Sequence, residues 1–533
     1  MADTTLQTPY ATAMPYVATK ASAGWVDEYD NQRLMSYDLY DDLFNNTPAQ
    51  FKLMLRGTDE KPIYVPTAKG IINALARYVG KNWGIQVKSN AEDAELDPTA
   101  EVATDEQVAA AQNAFGKLIA RERLLSVFRS GVPEWLRRAD WCWYVTADPL
   151  KAEGRRISVR VVDPRRYFPL NNDTSDLSRV TGQELREETM VGDTAAVLVQ
   201  TYLKYTDPGH PDYGSEEPPE GFPITYQVQA YDQKDFLDPT KRKALAHPEN
   251  LPQTILEGIT ALPIYHIRNN ETTDDPFGRS DLSGLESVIA GINQSWSDED
   301  LSLAFMGIGM YWTDSGAPVD ETTGQATSWK LGPKRVIEVD EGTSFNKVDG
   351  ITSVEPFQTH ISGLKETAQA TMGLSDVSVG TAENVTAESG IALAIRFSPT
   401  QDTAVNKNAI INGVLTQMFH DLKQWFAVYE GIDMGEVVVT SVTDNANLLP
   451  FDREGRWQEL MEGVTAGVFT PEYAVSVLEE EFGYVFPAGY VDDLTAANAA
   501  KAAAADPFAS RTGAEAGSAT DEELAASADA TQE

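Results

Sequence analysis

The chain has a single cysteine, Cys142, among its 533 residues. An intrachain disulfide is therefore impossible, and a metal site built on several thiolates is not expected. A lone thiol fits a reducing compartment such as a bacterial cytoplasm. No run of about eighteen apolar residues occurs, and no basic segment followed by an apolar core opens the chain. The sequence thus predicts neither a membrane span nor an export signal.

The common catalytic motifs are also missing. Gly80-Lys81 is followed by Asn82 and has no glycine at the required upstream position, so the phosphate-binding pattern G-x-x-x-x-G-K-S/T is absent. No H-E-x-x-H or G-x-S-x-G occurs. The histidines are few and far apart in sequence, which favours structural or exposed roles: His210, His247, His266, His360 and His420. The sequence predicts no catalytic residue, no bound metal and no cofactor.

Two acidic runs and the cysteine need a separate assessment. Asp27-Glu28 and Asp298-Glu299-Asp300 have the ligands that Mg²⁺ prefers, but such runs more often form solvated helix faces. Cys142 lies between two tryptophans in a predicted strand, where a thiol is usually a buried small hydrophobe and not a nucleophile.

Basic residues are scarce. The chain has 42 Lys and Arg against 81 Asp and Glu, a formal charge of -39, which argues against a large surface that grips phosphates. An acidic surface keeps a protein soluble, and in a conduit it would let DNA slide without deep binding minima; charge alone does not choose between these. The content of 42% hydrophobic and 9% aromatic residues predicts a folded protein with two or more packed regions.

Hydrophobic periodicity divides the first half of the chain into helices followed by strands. Residues 1–24 lack apolar periodicity and predict a flexible arm, and an acidic loop is predicted over 90–105. Helices are predicted over residues 25–44, 67–81 and 106–138, the last broken at Gly131 and Pro133. Strands are predicted over 141–146, 157–162, 197–205 and 224–231.

The second half predicts long helices. A helix opens near Gly278 with capping-box spacing from Ser283 to Glu286, and another runs from Pro356 to a stop at Gly373. Between them residues 308–312 and 335–339 favour strands. A loop of small polar residues precedes a long helix that Pro399 should kink. A strand over 436–443, a helical pair over 453–466 and 471–482, and an acidic tail complete the pattern.

The order of these parts resembles that of the portal proteins of tailed bacteriophages. The likeness depends on Gly278-Arg279-Ser280-Asp281-Leu282, on Ile292-Asn293-Gln294-Ser295 and on Glu388-Ser389-Gly390-Ile391-Ala392-Leu393, separated by a strand-rich insertion, a second helix and a loop. The resemblance implies an α+β fold with a mixed α/β wing, long stem helices, a small α/β clip insertion and a helical crown.

The resemblance also implies a division of the chain into consecutive parts. An N-terminal arm (1–24) precedes a wing (25–277), a stem helix (278–306), a clip (307–353), a second stem helix (354–373), a tunnel loop (374–388), a kinked wing helix with a strand (389–445), a crown (446–495) and an acidic tail (496–533).

A portal protein forms a ring, typically of twelve copies, at one capsid vertex, through which double-stranded DNA is packaged and ejected. The resemblance implies as partners further copies of the chain, duplex DNA, the major capsid and scaffolding proteins, the terminase large subunit and a head-tail adaptor, with no membrane and a location in the virion. The tunnel loop would then contact DNA through Ser375, Asp376, Ser378, Thr381, Glu383, Asn384 and Thr386. Scarce basic residues of the clip would meet DNA, terminase or adaptor: Lys330, Lys334, Arg335 and Lys347.

The sequence also permits alternatives to a portal protein and to these contacts. The loop can be an ordinary helix connection, and the clip cations can form a solvated face. The chain can be another structural virion protein, such as a scaffold or capsid component, although its strand-rich middle argues against a scaffold. A metal-dependent hydrolase built on the acidic runs is the enzymatic alternative.

Overall fold

We analysed a computed structural model of the chain. The structure describes residues 25–55, 61–91, 102–171, 179–216, 221–273, 275–308, 310–319, 322–326, 339–348, 353–380, 390–445, 453–482 and 490. The chain divides into a unit of residues 1–448 and a unit of residues 449–533. The fold class is α+β, as the sequence predicts, and the arm and tail lie outside the described residues.

Ten helices occur within the described residues, in the chain order α1 Glu28–Asn45, α2 Thr67–Ala76, α3 Asp105–Arg121, α4 Leu124–Arg138, α5 Glu286–Ile308, α6 Glu355–Thr371, α7 Asp376–Val379, α8 Gly390–Trp425, α9 Arg453–Thr465 and α10 Pro471–Phe482. Asp27, one member of an acidic run, caps α1 by accepting a hydrogen bond from the Asp30 amide. Thr104 and Gln107 form a capping box at the start of α3.

The strands form small antiparallel sheets and are β1 Gly84–Lys88, β2 Asp140–Ala147, β3 Ile157–Val162, β4 Tyr167–Leu170, β5 Gly182–Val191, β6 Thr194–Leu203, β7 Thr225–Asp232, β8 Ala244–Leu245, β9 Leu251–Ile255, β10 Ile264–Arg268, β11 Met310–Thr313, β12 Phe345–Val348 and β13 Val438–Val442. The largest sheet has the order β4-β5-β6-β7-β8 with β9 also paired to β7, and a second has the order β10-β2-β3. β1 pairs with β13, and β11 with β12. The predicted strands 141–146, 157–162, 197–205, 224–231 and 436–443 are confirmed to within a few residues, whereas the sequence did not predict β1, β4, β5, β8, β9, β10 or β12.

An aromatic core joins the helices to the central strands. Trp83 stacks on Phe128 of α4 with ring centroids 4.5 Å apart, and contacts Trp143 of β2 and Phe419 of α8 at 6.3 Å each. These rings are nearly or fully buried, so together they bury several hundred Å² of apolar surface, which makes this cluster a major source of stability.

The predicted break at Gly131 and Pro133 is wrong. The helix is interrupted earlier, at Arg123, whose φ of 54° is left-handed, and α4 then continues through both residues. Gly131 has a packing role, because a Cβ there would lie 2.4 Å from the Trp141 ring. A glycine that admits a neighbouring ring looks, in sequence, like a helix breaker.

The smaller unit contains α9 and α10, which confirm the predicted helical pair. Phe469 in their connection packs on Gly463, where a Cβ would lie 2.2 Å from its ring. The Gly463 carbonyl accepts hydrogen bonds from the Val468 and Phe469 amides, which closes the end of α9.

Candidate functional site

The segment from Gly278 to Leu282 is a tight corner against the β10-β2-β3 sheet and not the start of a helix. A Cβ on Gly278 would lie 2.5 Å from the Ala139 carbonyl oxygen, and its amide donates to buried Asp140 at 2.9 Å. Gly284 has a φ of 86°, and α5 begins only at Glu286. The predicted helix start at 278 is therefore about eight residues early, because backbone packing and a left-handed glycine prevent a helix there.

Asp281, in the middle of this corner, belongs to a buried polar cluster. Its carboxylate accepts hydrogen bonds from the side-chain amides of Asn269 and Asn270 at 3.0 and 2.9 Å. Lys407 of α8 lies 2.9 Å from the same carboxylate, and its Nζ also donates to Asn269 Oδ1 at 2.6 Å. Asn269 is fully buried and Lys407 is 5% exposed, so a paired charge fastens α8 to the corner.

The polar residues at the centre of α5 hold an extended segment of the chain. Asn293 Oδ1 accepts from the Val65 amide at 2.8 Å, and Ser297 Oγ accepts from the Ile63 amide at 2.9 Å. Gln294 bonds both the amide and the carbonyl of Met54, at 2.8 and 3.1 Å. These side chains replace the partner strand that the segment lacks. Sequence reasoning did not predict this role, although polar residues within a buried apolar stripe were a signal for it.

Helices α5 and α6 pack side by side and antiparallel. Gly291 of α5 faces Leu364 of α6, and Glu299, further along α5, accepts a hydrogen bond from Gln358, nearer the start of α6, at 3.3 Å. Lys365 lies over the Trp296 ring at 5.4 Å, within the range of a cation–π contact. Glu299 is 3% exposed, so the interpretation of its acidic run as a solvated face is wrong at this position.

Most of the surface of α6 is exposed to solvent, with no described residue packed against it. Ile361 and Ala368 are its buried residues. The exposed positions are mainly small or neutral and polar, with Glu355 and Glu366 as the charged ones: Glu355, Pro356, Gln358, Thr359, His360, Ser362, Gly363, Glu366, Thr367, Ala370 and Thr371. None of these exposed positions is a lysine or arginine, and Lys365 of α6 is partly buried over the Trp296 ring, so this face would contact a polyanion weakly.

The segment that connects α5 to α6 in the chain contains a hairpin of two short strands. β11 and β12 pair antiparallel, with Tyr311 opposite Lys347, and the Ser344 amide donates to Asp314 Oδ1 at 2.6 Å. Trp312 is 51% exposed and Tyr311 is 42% exposed. The strand predicted over 308–312 is confirmed. Lys347 is in β12, while Lys330, Lys334, Arg335 and most of the strand predicted over 335–339 lie outside the described residues.

The loop predicted after Gly373 contains one helical turn, α7. Ser375 caps this turn by accepting from the Ser378 amide at 3.2 Å, and its own amide donates to Thr400 Oγ1 at 2.9 Å. Asp376 forms an ion pair with Arg396 of α8. Ser378 is 4% exposed, and Tyr78 donates a hydrogen bond to its carbonyl at 3.1 Å. The Ser378 side chain is therefore buried, in contrast to the prediction that it contacts DNA. The remaining predicted loop contacts lie outside the described residues: Thr381, Glu383, Asn384 and Thr386.

Helix α8 continues through Pro399 without interruption. The Pro399 carbonyl accepts a hydrogen bond from Thr403 Oγ1 at 2.9 Å. Gly373, with a φ of 68°, lies against this turn, since a Cβ there would be 2.2 Å from Thr403 Oγ1. Gly373 ends α6 as predicted, whereas a bend at Pro399 stays a prediction.

The cysteine and a histidine that could act in catalysis are both held in contacts within the fold. Burial raises the pKa of the Cys142 thiol well above its usual value, and nearby Asp140 raises it further, which disfavours the thiolate. His266 lies 2.6 Å from buried Asp140, which also accepts from Tyr37. Among the described residues no three His, Cys, Asp or Glu side chains are placed to hold a metal ion. No helix in that part of the chain is long and apolar enough to cross a bilayer.

Comparison with known proteins gives a structural likeness alone. No protein-family model matches the chain, and no curated protein matches it. A component of the virion of a native gene transfer agent particle is 11% identical over 83% of this chain and 91% of its own, with a TM-score of 0.38. A chain in the neck of the native particle, computed with C12 symmetry, is 12% identical over 79% of this chain and 89% of its own, with a TM-score of 0.37. A chain in the neck of the empty particle, computed with C6 symmetry, is 12% identical over 74% of this chain and 86% of its own, with a TM-score of 0.38.

Proposed function

We propose that this chain is the portal protein of a tailed-phage-like particle. Copies associate head to tail into a closed ring, with the α5–α6 pair towards the axial channel and the β11–β12 hairpin at one end as the docking site for terminase or adaptor. The ring lies at one capsid vertex, and duplex DNA passes through it. The chain itself carries out no catalytic step, because a separate motor supplies the energy.

The observation that carries the proposal is the antiparallel pair of α5 and α6 with a hairpin inserted at its end. In one copy α6 buries only Ile361 and Ala368 of its described residues, and its open face is neutral to acidic. A face of this kind suits a channel, because it repels phosphates weakly and gives DNA no strong binding site along its path.

Exposed apolar side chains near the same pair support ring formation. Leu303 on α5 is 46% exposed, Trp312 on the hairpin is 51% exposed, and Met54, which Gln294 holds beside α5, is 57% exposed. A neighbouring copy would cover such residues in a ring.

The test is the mass and shape of the untagged protein, by native mass spectrometry and negative-stain imaging. The chain has a mass of 58.3 kDa. We expect rings with a central hole and a mass of roughly 0.7 MDa, for about twelve copies. Leu303→Asp should lower the fraction of rings, because a carboxylate would be buried in the interface. Leu150→Asp is the matched control, since Leu150 is 96% exposed in the β2–β3 turn and should tolerate the change. A protein that stays monomeric at high concentration, with capsid and scaffolding proteins present, would contradict the proposal.

A further inference from the structure

A cavity of about 330 Å³ lies between the end of α2, the turn that follows it and the middle of α4. Arg77, Lys81 and Arg129 line it, and none of its lining residues is Asp or Glu. A cavity with this lining is unusual in a chain of net charge -39. Another cavity, beside Trp25, differs in that its arginines are accompanied by Asp38, Glu187 and Glu188.

The two arginines are available to a ligand. Arg77 and Arg129 are both exposed, and the guanidinium group of neither forms a hydrogen bond or an ion pair with any residue that the structure describes. Arg138 and Arg165 differ in this respect, since both form ion pairs with Asp41. Two guanidinium groups at one cavity can each donate a pair of parallel hydrogen bonds to oxygen atoms of an anion.

The wall of the cavity is fixed by close packing. Gly80 has a φ of 69°, and a Cβ there would lie 2.3 Å from the Phe128 ring, so only glycine allows the turn to approach α4. The Gly80 amide donates to fully buried Asn408 at 2.7 Å, and Phe128 itself stacks on Trp83. The cations are therefore attached to a preorganised turn and helix, which lowers the entropy lost on binding.

The lining combines charge with apolar surface. Val79, Phe128 and Val132 line the cavity together with the cations. Asn82, at the edge, donates to Asp444 at 3.3 Å, so this carboxylate offsets part of the positive charge there. Phosphate suits such an arginine pair because its oxygens match the guanidinium fork and are numerous enough for two guanidinium groups to bind at once, whereas a carboxylate has only two.

We propose that this cavity, defined by Arg77, Arg129 and Lys81, binds a phosphate group, carried either by a DNA backbone or by a small free phosphate. Arg77 and Arg129 bind the phosphate oxygens, and Lys81 adds positive charge. The inference goes beyond the proposed function, since it depends on the cavity of one copy and not on ring formation.

The experiment compares the Arg77→Gln/Arg129→Gln variant with Lys151→Gln/Arg155→Gln, which removes the same charge from exposed positions of the β2–β3 turn. Pyrophosphate binding is measured by isothermal titration calorimetry, and binding of a short labelled DNA duplex by fluorescence anisotropy over a range of salt concentrations. Thermal unfolding checks that both variants fold. Arg77→Lys/Arg129→Lys keeps the charge and loses the fork, so it should bind more weakly than wild type and more tightly than the glutamine variant.

We expect pyrophosphate affinity to fall at least about tenfold in the arginine-to-glutamine variant and to be unchanged in the control. If the site takes a DNA backbone, the slope of log K against log salt should also fall, by about 0.9 for each phosphate that the variant no longer neutralises. Loss of pyrophosphate binding alone would assign the site to free phosphate. Equal binding of both probes by the two glutamine variants would overturn the inference. Rings seen or not seen by native mass spectrometry decide the proposed function separately.

Discussion

Replacing Lys407 with methionine should be among the most damaging single changes outside the aromatic core. The ammonium group is the cation of a buried cluster, 2.9 Å from Asp281 and 2.6 Å from Asn269 Oδ1. Methionine keeps most of the apolar stem and removes the charge, so Asp281, whose side chain is 10% exposed, is left as a buried carboxylate without its cation. Removing one partner of a buried pair costs about 3–5 kcal/mol. We expect about 3 kcal/mol, because Asn269 and Asn270 still donate to the carboxylate.

The assay is urea unfolding followed by tryptophan fluorescence, since Trp135 lies 5.5 Å from the Lys407 ammonium. Adding Asp281→Asn to Lys407→Met should recover part of the lost stability, because the second change removes the unpaired charge. Lys241→Met, which breaks an exposed ion pair with Asp238, is the control and should leave the unfolding midpoint unchanged. A loss below about 1 kcal/mol for Lys407→Met, with strictly additive effects in the double variant, would refute the argument.

Three further predictions concern the packing of Gly131, the hydrogen bond that Asn293 makes to the segment 61–66, and the ionisation of Tyr226. Gly131→Ala should lower stability by about 1–3 kcal/mol, because the new Cβ would clash with the Trp141 ring. Gly116→Ala on α3, where the new Cβ would have open space, should raise stability slightly. Thermal unfolding of the two variants checks this contrast. Asn293→Ala leaves the Val65 amide without its acceptor, at a cost of about 1–3 kcal/mol. Limited proteolysis should therefore cut this variant faster than the wild type near residues 61–66. Burial raises the pKa of Tyr226 to about 12, so the protonated phenol contributes to stability. This contribution is fully present below the ordinary tyrosine pKa near 10 and is lost as the pH rises through 12. Difference absorbance at alkaline pH should show a late-ionising tyrosine that is missing in Tyr226→Phe.

The local elements could be predicted because their signals are local. The aromatic stripe of α1, the aromatic and β-branched runs of β2 and β3, the alternation in β6 and β7, and Pro356 at the start of α6 each depend on residues within a few positions of one another. The strand β5 was missed for the opposite reason. β5 contains four charged residues within five positions, Glu184, Arg186, Glu187 and Glu188, and is a strand because β4 and β6 pair with it on either side.

For the candidate site, the order of the parts follows from the sequence alone: a long helix, an insertion with a strand, a second helix, a loop and a further long helix. The acidity and the absence of known catalytic motifs also follow from the sequence, since composition and spacing need no neighbours. What individual side chains do depends on contacts across the fold, which the structure shows. The fold turned Ser378 inward, buried Glu299 against Gln358, brought Asp281 to Lys407 and placed Arg77 and Arg129 at one cavity. These arrangements join residues far apart in the chain, and no local pattern encodes a distance across the fold.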